Sequence, residues 1–308
     1  MSNEKERLIE NHYKSILSYK ILSDADIKAI STNQEEINSL IKVKDKINLK
    51  EVKNTYLQLT GHILRNIVDQ KTPNNEKLKN NNKKFPIIIG VTGSVAVGKS
   101  TFSKILQFLI PKLSPFGFKS VELVSTDGFL FSNSVLEKKG LMESKGFPES
   151  YNKELFYEFM SAISSGVNQT EAPIYSHEIY DILENEKKLI SSPDVLIVEG
   201  VNLFLNEKAK DNLFDFLIYI DAEEQIIRQW YIERFLELRH RALNDEKSFF
   251  NRFSSFSEVE AKDIANNVWE QINLKNLNDN ILPTRNLATM IISKDEDHIV
   301  EELLLRKI

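Results

Sequence analysis

No cysteine occurs anywhere in the 308 residues. That excludes disulfides, thiolate nucleophiles and cysteine-ligated metals, and it fits a cytoplasmic location. Glycine is scarce, at 10 residues, and none follows Gly200. Proline is as sparse, at 8, and Pro283 is the only one after Pro193. A final third so poor in helix breakers is predicted to be mostly helix. No apolar run approaches membrane-spanning length, and the start, Met1 to Arg7, lacks the apolar core of a signal peptide. Positive charge is not in excess either. A formal net charge of −5 argues against nucleic acid as the main partner.

The few glycines that are present fall where they matter. An apolar, β-branched run, Pro86-Ile87-Ile88-Ile89-Gly90-Val91-Thr92, leads into Gly93-Ser94-Val95-Ala96-Val97-Gly98-Lys99-Ser100-Thr101, and Phe102 to Leu113 then read as a helix. This strand, loop and helix context is what a phosphate-binding P-loop requires. Its glycines let backbone N–H groups turn inward around a phosphate, and the helix start adds the positive end of its dipole. In such a loop Lys99 reaches the β- and γ-phosphates, and the Ser100 hydroxyl holds Mg²⁺. A nucleoside triphosphate is the implied ligand.

Around this loop the pattern predicts an α/β fold: a doubly wound, mostly parallel sheet of the P-loop NTPase kind, with helical N-terminal and C-terminal additions. Near-continuous apolar runs mark strands at Ile87 to Thr92, Val121 to Thr126, Val195 to Glu199 and Phe216 to Asp221, as parallel strands buried on both faces should appear. Helices are expected at about 99–113 and 153–164, the second capped by Asn152, and later at about 223–243, 257–280 and 296–306. Ala288 to Ser293 reads as one more strand. Residues 1–84 read as a helical segment without a strand, closed by a polar, low-complexity connector from Lys71 to Lys84; Ser23 or Asp24 would cap a short helix there. A longer helix follows Asn48, and 85–308 form the core.

Ligands of open parallel sheets bind outside the carboxyl ends of the strands. Asp127, in Ser125-Thr126-Asp127-Gly128-Phe129, ends one strand and is expected to project toward the P-loop. There a carboxylate either accepts the proton of an attacking hydroxyl or holds Mg²⁺ through water. Glu199, closing Asp194-Val195-Leu196-Ile197-Val198-Glu199-Gly200, stands where a P-loop protein needs a metal-binding acid. No Asn-Lys-x-Asp guanine-reading motif is present, which weakens a GTPase reading. Tyr175, His177 and Tyr180 crowd into ten residues after Ala172-Pro173, a loop suited to a small polar ligand, although a histidine among aromatics is more often structural. Tyr231, Arg234, Phe235 and Leu238 share one helix face. An arginine in that apolar stripe needs an anionic partner, either a ligand or a protein acid.

Taken together these stretches resemble the type I (bacterial) pantothenate kinases, P-loop kinases related to uridine kinase and phosphoribulokinase. Further marks of the resemblance are Gly140-Leu141-Met142, Lys145-Gly146-Phe147-Pro148-Glu149-Ser150-Tyr151, Glu199-Gly200-x-Asn202, Trp230-Tyr231-Ile232-x-Arg234-Phe235 and Asn280-Ile281-Leu282-Pro283-Thr284-Arg285. The resemblance implies ATP- and Mg²⁺-dependent phosphorylation of pantothenate as the first step of coenzyme A synthesis. It also implies a homodimer, feedback inhibition by coenzyme A, and a helical substrate-binding part at about 223–285. It makes Asp127 the general base, with Lys99 and Arg234 stabilising the transferring phosphoryl. Tyr175, His177, Tyr180, Tyr231 and Asn273 would contact pantothenate, and His298 would lie near the adenine.

Some positions depart from the family pattern. At Leu238, Leu243 and Phe249 the family commonly has aromatics, a tyrosine at the last, so the resemblance implies a more aliphatic pocket here. Lys104 stands where an arginine often grips coenzyme A, which predicts weaker feedback inhibition because the bidentate fork is lost. Lys44 replaces a residue used near the adenine. Two other readings share the P-loop: a uridine or sugar-phosphate kinase, and a non-catalytic nucleotide-binding regulator.

Overall fold

The computed structural model describes residues 13–16, 22, 55–71, 85–113, 117–205 and 213–307. Lys44, the caps considered at Ser23 and Asp24, the helix start at Asn48 and residues 72–84 of the polar connector lie outside them.

In chain order the elements are β1 (Tyr13–Ser15), α1 (Leu57–Lys71), β2 (Ile87–Gly93), α2 (Lys99–Leu109), β3 (Val121–Ser125), α3 (Asn133–Lys139) and α4 (Lys153–Ser164). There follow β4 (Gln169–Ser176), β5 (Asp181–Ser191), β6 (Val195–Glu199), β7 (Phe216–Asp221), α5 (Glu224–Arg241), α6 (Glu258–Val268), β8 (Met290–Lys294) and β9 (Val300–Arg306). One seven-stranded sheet runs in the order β1-β9-β8-β7-β2-β6-β3. From β8 to β3 all neighbours are parallel, and β9 and β1 extend that edge antiparallel. This is the doubly wound α/β architecture that the apolar runs predict.

Alternation along the strands sends side chains to two cores. Ile89, Val91, Ile197, Ile218 and Ile220 face Phe102 and Leu106 of α2 and Leu59, Ile63 and Ile67 of α1. Ile88, Leu196, Val198, Leu217 and Tyr219 face Phe156, Phe159 and Met160 of α4 and Leu277 and Ile281 beyond α6. Helices cover both faces, so each central strand loses its whole side-chain surface to the interior. That is why these strands read as unbroken apolar runs.

Three expectations change. A strand, β1, occurs before residue 70, with Tyr13 opposite Arg306 on β9. The stretch 296–306 is not a helix: Ile299, Val300 and Leu303 mimic a helical spacing, but Met290–Lys294 leaves a sheet edge open and Val300–Arg306 fills it. The Tyr-His segment is not a free loop, because Tyr175 and Ser176 end β4 and Asp181 opens β5 in a two-stranded hairpin. Elsewhere the boundaries agree closely: β6 and β7 match residue for residue, and the Asn152 side chain caps α4 by accepting from the Leu155 N–H at 3.1 Å.

Candidate active site

Three strand ends converge. Val91 of β2 and Ser125 of β3 both lie opposite Glu199 of β6. The glycine loop after β2, the acid ending β6 and the turn after β3 therefore leave the sheet at one level. Gly93 adopts φ +141°, and a Cβ there would stand 2.2 Å from the Ile220 carbonyl oxygen, so no other residue fits the start of the loop. α2 begins directly after Gly98. Its first N–H groups lack intrahelical partners and face an incoming anion.

Lys99 is buried, and its Nζ donates to the Ser94 carbonyl at 2.7 Å. Burial lowers its pKa to about 8; Glu199 and Asp127 push back up, while Arg234 adds to the lowering. The Ser100 hydroxyl donates to Glu199 Oε1 at 3.0 Å. Burial, reinforced by the Asp127 charge, raises the Glu199 pKa, against the pull of Lys99 and of the Ser100 and Ser125 hydroxyls. Asp127 sits in the one-turn helix Thr126–Phe129, where the Ser125 Oγ accepts its backbone N–H at 3.3 Å. Burial raises its pKa, opposed by Lys99, Arg234 and Lys145.

The opposite wall comes from distant elements. β4 presses on the Asp127 turn so closely that a Cβ at Gly128 would meet the Pro173 carbonyl oxygen at 2.3 Å. The hairpin brings Tyr175 within 5.2 Å of His177 and 6.1 Å of Tyr180, ring centre to ring centre. Tyr180 stacks on Phe249 at 4.4 Å. α5 contributes Tyr231 and Arg234, one turn apart. Burial raises the Tyr231 pKa to about 12, with Tyr180 adding to it, while the hydrogen bond to Asn273 opposes the shift. Asn273 closes a wide π-type turn, Trp269–Asn273, in the helix that continues α6; such turns re-aim side chains and recur at functional sites.

The result is one cavity of about 370 Å³ whose lining includes Val95, Ala96, Lys99, Ser100, Asp127, Tyr175, His177, Tyr180, Glu199, Tyr231, Arg234 and Asn273. Phosphate-loop, acidic and acceptor-wall residues singled out in the sequence thus share one space. Leu238, Phe249, Phe250 and Phe253 extend it as an apolar annex, whereas Leu243 is exposed. Of the other loop residues, Ser94 and Val97 are buried beneath the cavity-facing ones, and Thr101 continues into α2. His298 is not part of this lining. It stacks on Trp230 at 3.9 Å in the β8–β9 turn, with φ +64°. That turn reaches the phosphate loop through Lys294, whose Nζ donates to the Val97 carbonyl at 3.4 Å. Sequence reasoning gave no role to Lys145, Arg252 or Asn276, all of which line the cavity; only the Lys145-Gly146-Phe147 stretch carried a signal.

The donors suit Mg²⁺. A hydroxyl and a carboxylate, Ser100 and Glu199, are hard oxygen ligands already 3.0 Å apart. Among the described residues no cluster of three or more metal-binding side chains occurs. Mg²⁺ commonly takes only one or two carboxylates and completes its shell with phosphate oxygens and water. Among the described residues no helix is long and apolar enough to cross a membrane.

Such a phosphate cradle, with two acids beside it and an aromatic wall across the cavity, is the arrangement of a P-loop small-molecule kinase. The model of the Phosphoribulokinase / Uridine kinase family matches residues 88–258, and the chain belongs to that family. Within it, the curated relatives narrow the assignment to the pantothenate kinases. The pantothenate kinase of Rhodopseudomonas palustris is 41% identical over 312 residues, covering 97% of this chain and 98% of the relative. That of Brucella ovis is 44% identical over 294 residues, covering 91% and 90%. Among solved structures, D-glycerate 3-kinase from Cryptococcus neoformans shares the fold with a TM-score of 0.56 at 11% identity, covering 81% of this chain and 98% of that one.

Proposed function

We propose that this protein is an ATP-dependent kinase that phosphorylates the primary hydroxyl of pantothenate, the first step of coenzyme A biosynthesis. The observation that carries the reading is the single cavity in which Lys99, Ser100, Asp127 and Glu199 face Tyr175, Tyr180, Tyr231 and Asn273. The likeness to pantothenate kinases along nearly the whole chain supports the same acceptor.

In this reading the cradle from Gly93 to Thr101 holds the ATP phosphates, and Lys99 neutralises charge on the β- and γ-oxygens. Asp127 accepts the hydroxyl proton as the acceptor oxygen bonds to the γ-phosphorus. The bond from that phosphorus to the bridging oxygen breaks, and its electron pair leaves with ADP. Arg234 faces the equatorial oxygens as charge develops. Ser100 and Glu199 would hold Mg²⁺, which when bound would supply positive charge against that of the phosphates. Tyr175, His177, Tyr180, Tyr231 and Asn273 orient the acceptor and exclude water. His298, on its Trp230 shelf, flanks the adenine.

The reading extends to a cytoplasmic homodimer inhibited by coenzyme A. Lys104, exposed on α2, offers a point charge rather than a fork, so inhibition should be weaker than in arginine-bearing relatives. A coupled ADP-release assay tests the whole reading: turnover with pantothenate and none with uridine is expected, and coenzyme A is titrated in the same run. ATP binding without phosphorylated product would overturn it.

A further inference from the structure

Lys145 lines the cavity wall and makes two hydrogen bonds and two ring contacts there. Its Nζ donates to the Asn133 Oδ1 and to the Tyr180 carbonyl, each at 2.6 Å. The same ammonium lies 4.1 Å over the Tyr180 ring and 5.2 Å from the Tyr175 ring centre. Asn133 completes the clasp: its Nδ2 also donates to the Tyr180 carbonyl, at 3.1 Å, and its backbone N–H donates to Asp181 Oδ1 at 3.0 Å.

What this clasp grips is a residue in an unfavourable conformation. Tyr180 has φ +57°, a left-handed backbone that is unfavourable for a non-glycine residue. Such a conformation persists only where its surroundings over-determine it. Here two donors hold its carbonyl, Lys145 faces its ring, and Phe249 stacks on the same ring at 4.4 Å. The Phe249 N–H in turn donates to the Glu178 carbonyl at 2.9 Å, tying the hairpin turn from its other side.

The next residue anchors the base of the clasp. The Gly146 carbonyl accepts from Asn202 at 2.5 Å and from Asn276 at 3.0 Å. Those two asparagines belong to the segment after β6 and to the helix that bears Asn273. The dipeptide Lys145-Gly146 thus joins three walls of the acceptor space.

We propose that Lys145 is a positioning residue for the acceptor: it locks the β4–β5 turn so that Tyr180 and His177 present a preformed surface to the alcohol substrate. It acts through Tyr180 and leaves the phosphoryl group to Lys99 and Arg234. This rests on the kinase reading above, and the wild-type assay separates the two. If wild type does not phosphorylate pantothenate, that reading fails; if it does, the variants judge Lys145.

Steady-state kinetics with pantothenate and ATP varied separately provide the test, alongside thermal melting of each variant. K145M should raise the KM for pantothenate about tenfold, the loss expected for a charge-assisted hydrogen bond, with the ATP KM nearly unchanged and kcat compared on its pH plateau, because Asp127 loses one of the charges that oppose its raised pKa. N133A should do the same more weakly, by about threefold, through the neutral half of the clasp. The double variant should be no worse than K145M alone, since both act on one carbonyl. A fall in kcat at constant KM would overturn the proposal, as would an unchanged pantothenate KM in both single variants or fully additive effects. If K145M does not fold, N133A alone decides: its threefold KM effect supports the clasp and its absence refutes it.

Discussion

The phosphate end and the acceptor end of this cavity are built by opposite means. The phosphate end is local: nine consecutive residues, Gly93 to Thr101, leave a buried strand and enter a helix, and backbone geometry makes the cradle. The acceptor end is assembled from the β4–β5 hairpin, α5, the Phe249 segment and a π-turn near residue 273, joined by side-chain contacts across a hundred positions of sequence. A locally built site withstands change elsewhere in the chain. A site gathered from distant walls can be retuned one wall at a time. A single family can therefore share a phosphate loop while its members differ in the alcohol they accept.

Substitutions can sharpen that contrast, and the largest effect should fall where the two ends meet. D127A is expected to cut turnover about 10³-fold while calorimetric ATP binding stays near normal, because a general base contributes on that scale. K99M, confined to the phosphate end, should reduce turnover about 10²-fold or more and also weaken ATP binding, since it removes a charge that both steps use. Wall substitutions should behave differently. G128A forces a Cβ against the Pro173 carbonyl oxygen, now 2.3 Å from where it would sit. Denaturant unfolding should show a loss of about 1–3 kcal/mol, with a raised pantothenate KM and an unaltered ATP KM.

Proton linkage offers a gentler test. As the proposed base Asp127 would have to be ionised, and its raised pKa then places the acid limb of kcat/KM above the ordinary carboxylate range. In its proposed role Lys99 would have to keep its proton, so in the free enzyme activity should fall as pH rises through about 8. Bound phosphates favour the ammonium, so the alkaline limb of kcat should lie higher than that of kcat/KM. Coincident alkaline limbs would detach Lys99 from the nucleotide. The smallest effect belongs to the exposed Lys187–Glu171 pair at 2.9 Å on the hairpin ribbon. K187A should change the melting free energy by less than about 0.5 kcal/mol and leave both KM values alone.

Legibility in the sequence followed the same division. Strands buried on both faces announced themselves, since Val195–Glu199 and Phe216–Asp221 contain little but apolar residues. The phosphate loop is a contiguous motif, and Asp127 and Glu199 could be placed because strand ends share one edge. The hairpin was not legible. β5, with Glu184 to Lys188 mostly in water, has no buried face to impose alternation, and its pairing depends on β4. β9 was misread because Val300, Glu301, Glu302 and Leu303 to Leu305 satisfy helical and extended spacings alike, and only the open edge of β8 decides between them. Lys145 stands in a stretch that the sequence marks, but its role is not legible there for a third reason: its partners are a carbonyl and an amide that no spacing rule connects to it.

One consequence concerns synthesis. The Tyr13 hydroxyl accepts from Arg306 across a separation of 293 positions, and among the described residues β1 pairs with β9 alone. On a ribosome adding about 5–20 residues per second, Tyr13 would wait roughly 15–60 s for that partner. The edge formed by β1 and β9 can close only after Arg306 has been made, so a strand from the first twenty residues is among the later ones to find its place.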